Sequence, residues 1–580
     1  MRSSGSENCH AERSKRIIWT LTDLNPPESQ SKPRVVGAAA RQPEPALLTP
    51  VIVIRSIGKV TFAGAAGGSV VLVGLKNPPM VFPYFSIGSS FSTDLSAYIS
   101  LTSVEMPKRS TQSGAGNVIR KAGLLERFHI ARHDLGMDSC VIVSARYRNV
   151  SDGVLEKPML FTALAKVILR HAPLMVQMSA DHRSFLRLDE INLSQAVEFI
   201  GTDVQLQDHF ESQLRRGFEL NVNLPLWRLS VMPNNTIVFS CFHGIGDGMS
   251  GVAFHHTLLD TLNSVEQPAI TYAEVLAVPQ DTMLVPNVEK LVNVSPSFTM
   301  WCHEVWQTSA PVSLQPHSSA WTGNRVVKVP NLDMRARLLR FSPQDTGRML
   351  ELCRSHGTTL TGLLGAIAIP VLSRVLASDP STRKLKTISF GTAISIRRFI
   401  DVLKDDTMGN FVSVQETFPR IIRSGSDCAP SSGWLDGFTW EEATRYSSGL
   451  HKNLRESVGR VGMLKWLFGQ IDEYYKLQQG KKRLHGLEIS NLGQLRIPVQ
   501  GFVDDPSHIW TIEEMDFAQG DGTCGGAIKL NVIGAPSGAL GIGVTWARES
   551  VPDPLADSFA AGLSDAIGEL ISSSAGTSKD

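Results

Sequence analysis

Residues 236–262 read TIVFSCFHGIGDGMSGVAFHHTLLDTL. Thr236 to Phe242 is an apolar run of strand length. Upstream, Leu224 to Val231 reads as a second strand, and Asn234-Asn235 between the two is a turn pair, so a hairpin is expected. Past His243, glycines at 244, 246 and 248 permit tight turning and close approach of another group. Gly251 to Leu262 reads as an apolar helix whose free N–H groups point back toward the turn and Asp247. The order is therefore strand, histidine, three alternating glycines, aspartate, helix.

The flanking sequence continues the alternation of strand and helix. Cys140 to Ala145 reads as a strand. Pro158 opens a helix over Met159 to Arg170, where proline in the first turn is tolerated. In the second half, Arg337 to Phe341 is a short strand. Ser342 to His356 is a helix opened by a Ser-Pro pair, and Thr359 to Ala377 is another. Thr387 to Ile396 reads as a strand. Ala527 to Ile533 and Leu540 to Trp546 flank the turn Pro536-Ser537-Gly538 as a hairpin, and a helix from Asp553 to Ser572 follows. Such alternation implies a mixed α/β layered architecture. The Pro-rich region around 310 to 332 is the expected linker between two lobes.

Residues 1–115 differ in character. They are rich in Pro, Ser and Gly (NPPESQSKP, GAAGGS, KNPP) and are expected to be poorly structured. The expected division is then 1–115 as an extension, 116–325 as an N-terminal lobe holding the His243 turn, and 326–580 as a C-terminal lobe. The 580 residues carry a formal net charge of +1, which supplies no field for nucleic acid or an anionic membrane. The seven cysteines are scattered and never form C-x-x-C, which argues against a disulfide framework or zinc site. No signal peptide or transmembrane helix is expected; the apolar stretch from Phe62 to Leu75 is shorter than a span requires. A cytoplasmic monomer is expected, with the surfaces of the endoplasmic reticulum or lipid droplets as alternative locations.

His243 is the candidate base, since an ordinary imidazole is mostly neutral at pH 7. Taken singly, a strand-end histidine is usually a packing residue and an Asp-Gly pair usually a turn; the ordered set gives the segment its meaning. A metal is not expected: the glycines disfavour the helix that would place His243 and Asp247 on one face, and no third ligand lies nearby. Gly246-x-Gly248-x-x-Gly251 matches a dinucleotide fingerprint, but no strand ending in an acidic residue follows at the required distance. Gly520-x-Gly522-x-x-Gly525 leads into a strand and reads as a loop. His255 and His256, on the following helix, are expected to be structural or surface residues.

The segment FHGIGDG resembles the HxxxDG signature of the coenzyme A-dependent acyltransferase superfamily. That superfamily includes chloramphenicol acetyltransferase, peptide-synthetase condensation domains and the fungal alcohol acetyltransferases, to which the chain is most similar. Further segments agree in order: Gly123 to Phe128, Pro225 to Leu229, Trp321-Thr322-Gly323, Ile394 to Arg398, Met408 to Ser413, Ser490 to Gly493, and the hairpin ending in Thr545-Trp546. The resemblance covers residues 118 to 575. It implies two lobes of mixed sheets flanked by helices, the chloramphenicol acetyltransferase-like fold, with His243 midway along a central tunnel. It implies that Asp247 and Gly248 are structural, with Asp247 paired to an arginine of the other lobe; Arg397 is the candidate and Arg398 the second. Ser490 and Asn491 are the candidate oxyanion or substrate contacts.

The implied reaction is acetyl transfer from acetyl-coenzyme A, a co-substrate rather than a bound cofactor, to an alcohol or amine. The alternatives are a carrier-protein thioester as donor, or a non-catalytic binding module. The DFGWG motif of plant acyltransferases is absent. A single histidine precedes xxxDG where condensation domains carry two, and no carrier or adenylation segment accompanies the fold.

Overall fold

The computed structural model describes residues 60–63, 69–72 and 117–575, except 265–271, 312–313, 405, 424–432, 468 and 498–508. The chain divides into two compact units, Met1–Val81 and Phe82–Asp580. In the first, Val60–Ala63 pairs antiparallel with Ser69–Leu72. The expectation of poor structure over 1–115 otherwise falls outside the described residues. Everything below concerns the second unit.

Two sheets organise that unit. In the first the strand order is Trp510–Gln519, Val141–Asn149, Thr236–Cys241, Trp227–Val231, Val197–Phe199. The hairpin forms with Ile237 opposite Val231, and its turn uses Asn235 at φ +59°, a left-handed conformation that asparagine accepts more readily than most residues. All six residues of Thr236–Cys241 are buried, as expected of a strand covered on both faces. Helices Lys157–Arg170 and Gly248–Ser264 cover one face, where Phe239 stacks on Phe254 at 4.1 Å. Helix Leu206–Arg215 covers the other, through Phe210 and Leu214 against Ile142 and Val238.

The second sheet runs Met334–Phe341, Leu540–Ala547, Ile528–Gly534, Leu487–Gln494, Phe390–Ser395, Val412–Thr417, with parallel pairings at its centre. Helices Pro343–Ser355, Leu360–Ala377 and Asp553–Ala575 pack against it. Ser342 accepts from the Asp345 N–H and Thr359 from the Gly362 N–H, so both expected helix starts are capped. Helix Leu360–Ala377 is long and apolar enough to cross a membrane, by length and composition, but it is mostly buried in this core.

Two local features differ from the sequence expectations. The helix after His243 begins at Gly248, three residues early. The run expected as one strand over 387–396 is two. Thr387–Ile388 pairs with Ala320–Trp321, and Phe390–Ser395 enters the large sheet. At the break the Ser389 hydroxyl hydrogen-bonds Glu416 and the Leu484 carbonyl. Ala320–Trp321, within the Pro-rich stretch around 310 to 332, supplies the partner for Thr387–Ile388.

The Trp510–Gln519 strand comes late in the chain yet forms the edge of the first sheet beside Val141–Asn149. It also lies against strand Leu540–Ala547 of the second sheet, where Gly541 and Gly543 face the Met515 and Phe517 carbonyls. A Cβ on either glycine would stand 2.2 Å from its carbonyl oxygen, so the two backbones approach only because no side chain intervenes.

Candidate active site

Strand Thr236–Cys241 delivers the chain to Phe242 and His243, and the turn closes with the Ile245 N–H on the Phe242 carbonyl at 3.0 Å. Asp247 caps the next helix, accepting from the Ser250 N–H at 3.2 Å. Its carboxylate also receives a forked pair from Arg397, at 2.7 and 2.9 Å, and the Phe411 N–H at 3.0 Å. Burial pushes the Asp247 carboxyl up, but the Arg397 guanidinium overrides this and holds it below the usual range. The segment around Gly409 wraps the turn. Its carbonyl accepts from Arg397 and Ser250, and the Asn410 amide donates to the His243 carbonyl. Gly248 leaves no room for a side chain, since a Cβ would lie 2.6 Å from Leu492 and 2.8 Å from Phe517. Arg398 lines the cavity described next and makes no pair with Asp247.

His243 lines a cavity of about 880 Å³, together with Asp247, Gly248, Arg397, Ser490 and Asn491, a size suited to a small-molecule site. Its ring is 4% exposed as a residue, and Nδ1 is buried with no hydrogen-bond partner. Ser490 and Asn491 sit on strand Leu487–Gln494. The Asn491 amide donates to Thr361 at 3.0 Å and accepts from the Gly493 N–H at 2.8 Å, so it is already engaged. The Ser490 hydroxyl makes no hydrogen bond with the described residues.

Sequence reasoning missed the group on the other side of His243. Helix Leu124–Asp134 begins at Gly123, whose N–H is capped by Glu126 at 2.6 Å. One turn further, His129 lays its ring on His243, with centroids 3.5 Å apart and planes within 12°. His129 Nδ1 is 3.2 Å from Asp138. Burial drives the His129 pKa down to about 3, with the nearby His243 acting the same way, so its ring is neutral.

Behind it runs a buried ionic chain. Arg132 bonds Asp521 at 2.8 Å, Lys529 lies 2.6 Å from Asp521 and 3.1 Å from Glu488, and His485 lies 3.5 Å from Glu488. Arg132, Asp521, Lys529, Glu488 and His485 all line the cavity. Lys529 was the one visible signal: a charged residue amid the apolar run of Ile528–Gly534. His255 is a core histidine, placed between the Tyr147 hydroxyl at 3.0 Å and the Val143 carbonyl at 2.9 Å. Among the described residues no group of three or more His, Cys, Asp or Glu is arranged to hold a metal ion.

A family model described as alcohol acetyltransferase matches residues 199–563. An uncharacterized protein of Schizosaccharomyces pombe is 26% identical over 428 residues, covering 72% of this chain and 90% of its own length. A probable alcohol acetyltransferase of Fusarium pseudograminearum is 22% identical over 472 residues, covering 75% and 92%. An N-acetyltransferase of Saccharomyces cerevisiae is 23% identical over 414 residues, covering 64% and 84%. Among solved structures, the trichothecene 15-O-acetyltransferase of Fusarium sporotrichioides superimposes with a TM-score of 0.56 at 13% identity, covering 79% of this chain and 96% of its own. That likeness is one of fold, the two-lobed architecture of mixed sheets flanked by helices seen in chloramphenicol acetyltransferase. With more than half of its length matched by the family model, the chain belongs to the alcohol acetyltransferase family.

Proposed function

We propose that the protein transfers an acetyl group from acetyl-coenzyme A to a hydroxyl on a small alcohol or hydrophobic metabolite, with His243 as general base. The observation that carries this reading is the His243 imidazole in the wall of the 880 Å³ cavity, Nδ1 sealed away and Nε2 left to meet a substrate. Nε2 removes the proton of the acceptor hydroxyl as its oxygen attacks the thioester carbonyl. The tetrahedral adduct collapses with cleavage of the C–S bond, and the imidazolium returns its proton to the departing thiolate. The products are the acetyl ester and free coenzyme A. No acyl-enzyme is required when both substrates are held together.

The Ser490 hydroxyl, without a partner among the described residues, donates to the oxyanion; Asn491 is occupied by Thr361. Asp247 and Arg397, paired with each other, shape the turn that presents His243. The Saccharomyces N-acetyltransferase among the relatives favours an amine as the second acceptor class.

The test is thiol release from acetyl-coenzyme A with a panel of alcohols, sterols and amines, for wild type and His243→Ala. Turnover in wild type should fall by at least about a hundredfold in the variant, with an unchanged melting curve. Near-normal turnover in His243→Ala would refute the assignment of the base. Turnover only with a carrier-bound acyl group would replace the donor.

A further inference from the structure

Among the described residues no hydrogen bond orients the His243 ring: Nδ1 is buried and unpartnered, and only its backbone carbonyl is bonded, by Asn410. The His129 imidazole stacks on the ring at 3.5 Å, with the two planes within 12°. We propose that His129, tethered to Asp138, is a positioning residue for His243, holding the catalytic ring in plane and favouring the imidazolium that forms during transfer. This rests on the reading of His243 as the base.

The helix that carries His129 grips two consecutive residues. His129 stacks on His243, and His133, one turn further, meets the Phe242 ring edge-on at 5.0 Å. Side chains four apart on a helix lie on one face, so a single helix face holds the Phe242-His243 pair. Two neutral aromatic rings face to face gain little, because their quadrupoles oppose. A cation over a neutral ring is attracted. The stacked arrangement is therefore better suited to the protonated state of His243 than to its resting state, which is the differential binding that lowers a barrier.

Burial keeps the His129 ring neutral. Its Nδ1–H donates to the Asp138 carboxylate and makes the stacked ring more electron-rich. The other charged groups around the pair are Arg132 on the same helix, 3.9 Å from Asp138, and Asp247 on the catalytic turn, neutralised by Arg397. Tyr475 and Asp521 lie beyond Arg132. Arg132 opposes a positive His243, and Asp138 favours one.

The test combines two readouts on His129→Gln, His129→Phe and Asp138→Asn: the pH dependence of kcat/KM, and the titration of the His243 ring followed by nitrogen NMR in the absence of substrate. His129→Gln keeps a donor for Asp138 but removes the ring. It should lower kcat about tenfold with the KM for acetyl-coenzyme A unchanged, and should move both the acid limb and the ring titration to lower pH. His129→Phe, which keeps a flat ring, should recover most of the lost kcat. Asp138→Asn should shift the ring titration the same way.

Wild-type kcat and an unmoved titration in His129→Gln overturn the proposal. Should that variant not fold, an unmoved titration in Asp138→Asn does the same. Retained activity in His243→Ala would instead overturn the reading of the base, and the substrate-free titrations separate the two failures.

Discussion

Asp247 accepts hydrogen bonds from Arg397, Ser250 and the Phe411 N–H while almost fully buried. Asp247→Asn keeps the shape but turns an NH2 group toward the guanidinium and leaves Arg397 uncompensated. Breaking a buried pair this way costs about 3–5 kcal/mol, so denaturant unfolding should show a loss of that order, with activity falling alongside it. Unchanged unfolding would mean that the pair does not hold the turn. Arg397→Lys should recover only part of the loss, because an ammonium cannot serve both carboxylate oxygens and the Gly409 carbonyl as a planar fork does. Arg397 and Asp247 could be named together from the sequence because each lies in a short family-like segment. His129 could not: its helix carries histidines at 129 and 133, and nothing local marks which of them meets a residue far along the chain.

At the level of elements, the hairpin at Trp227–Val231 and Thr236–Cys241 and the capped helices at 343 and 360 follow from patterns within a few residues. Strand Trp510–Gln519 does not. Its acidic residues Glu513, Glu514 and Asp516 break any clean alternation, and a register shift between Ile512 and Glu514 hides the rest. Those carboxylates are matched by Arg146, Arg148 and Arg340, which lie in other parts of the chain. The contact of this strand with Gly541 and Gly543 makes a specific prediction. Gly543→Ala forces a Cβ against the Phe517 carbonyl and should destabilise by about 1–3 kcal/mol. Gly449 in helix Trp440–Lys452 meets nothing within 4 Å. Gly449→Ala should therefore stabilise by up to about 1 kcal/mol. Thermal unfolding of the two variants should move in opposite directions; equal shifts would mean that the strands do not rely on that close approach.

Across the whole molecule, buried titratable groups set the response to pH. His129 is held down at about 3, and His171 and His255 at about 4, chiefly by burial. The unfolded chain protonates these rings below pH 6.5 while the folded one does not. Each then withdraws about 1.4 kcal/mol of stability per pH unit as pH falls toward its folded value. The paired carboxylates act later. Asp247, Asp521 and Glu488 are held below the carboxylate range against the effect of burial, by Arg397 for the first and Lys529 for the other two. Their stabilisation is present above that range and is lost as pH falls through the folded values. The melting temperature should thus decline already between pH 6.5 and 4.5, before the carboxylates titrate; a flat profile there would show that the histidines are not sealed. The Trp510–Gln519 strand, supplied to the edge of the first sheet from late in the chain, has a further consequence, for dissecting the protein. A fragment ending near residue 326 would carry the whole 243–248 turn but present Val141–Asn149 as a bare edge, with its backbone groups open to pairing with neighbours. Such a piece should aggregate when expressed alone and become soluble when the remaining fragment is co-expressed, which makes the pair a natural basis for a split reporter.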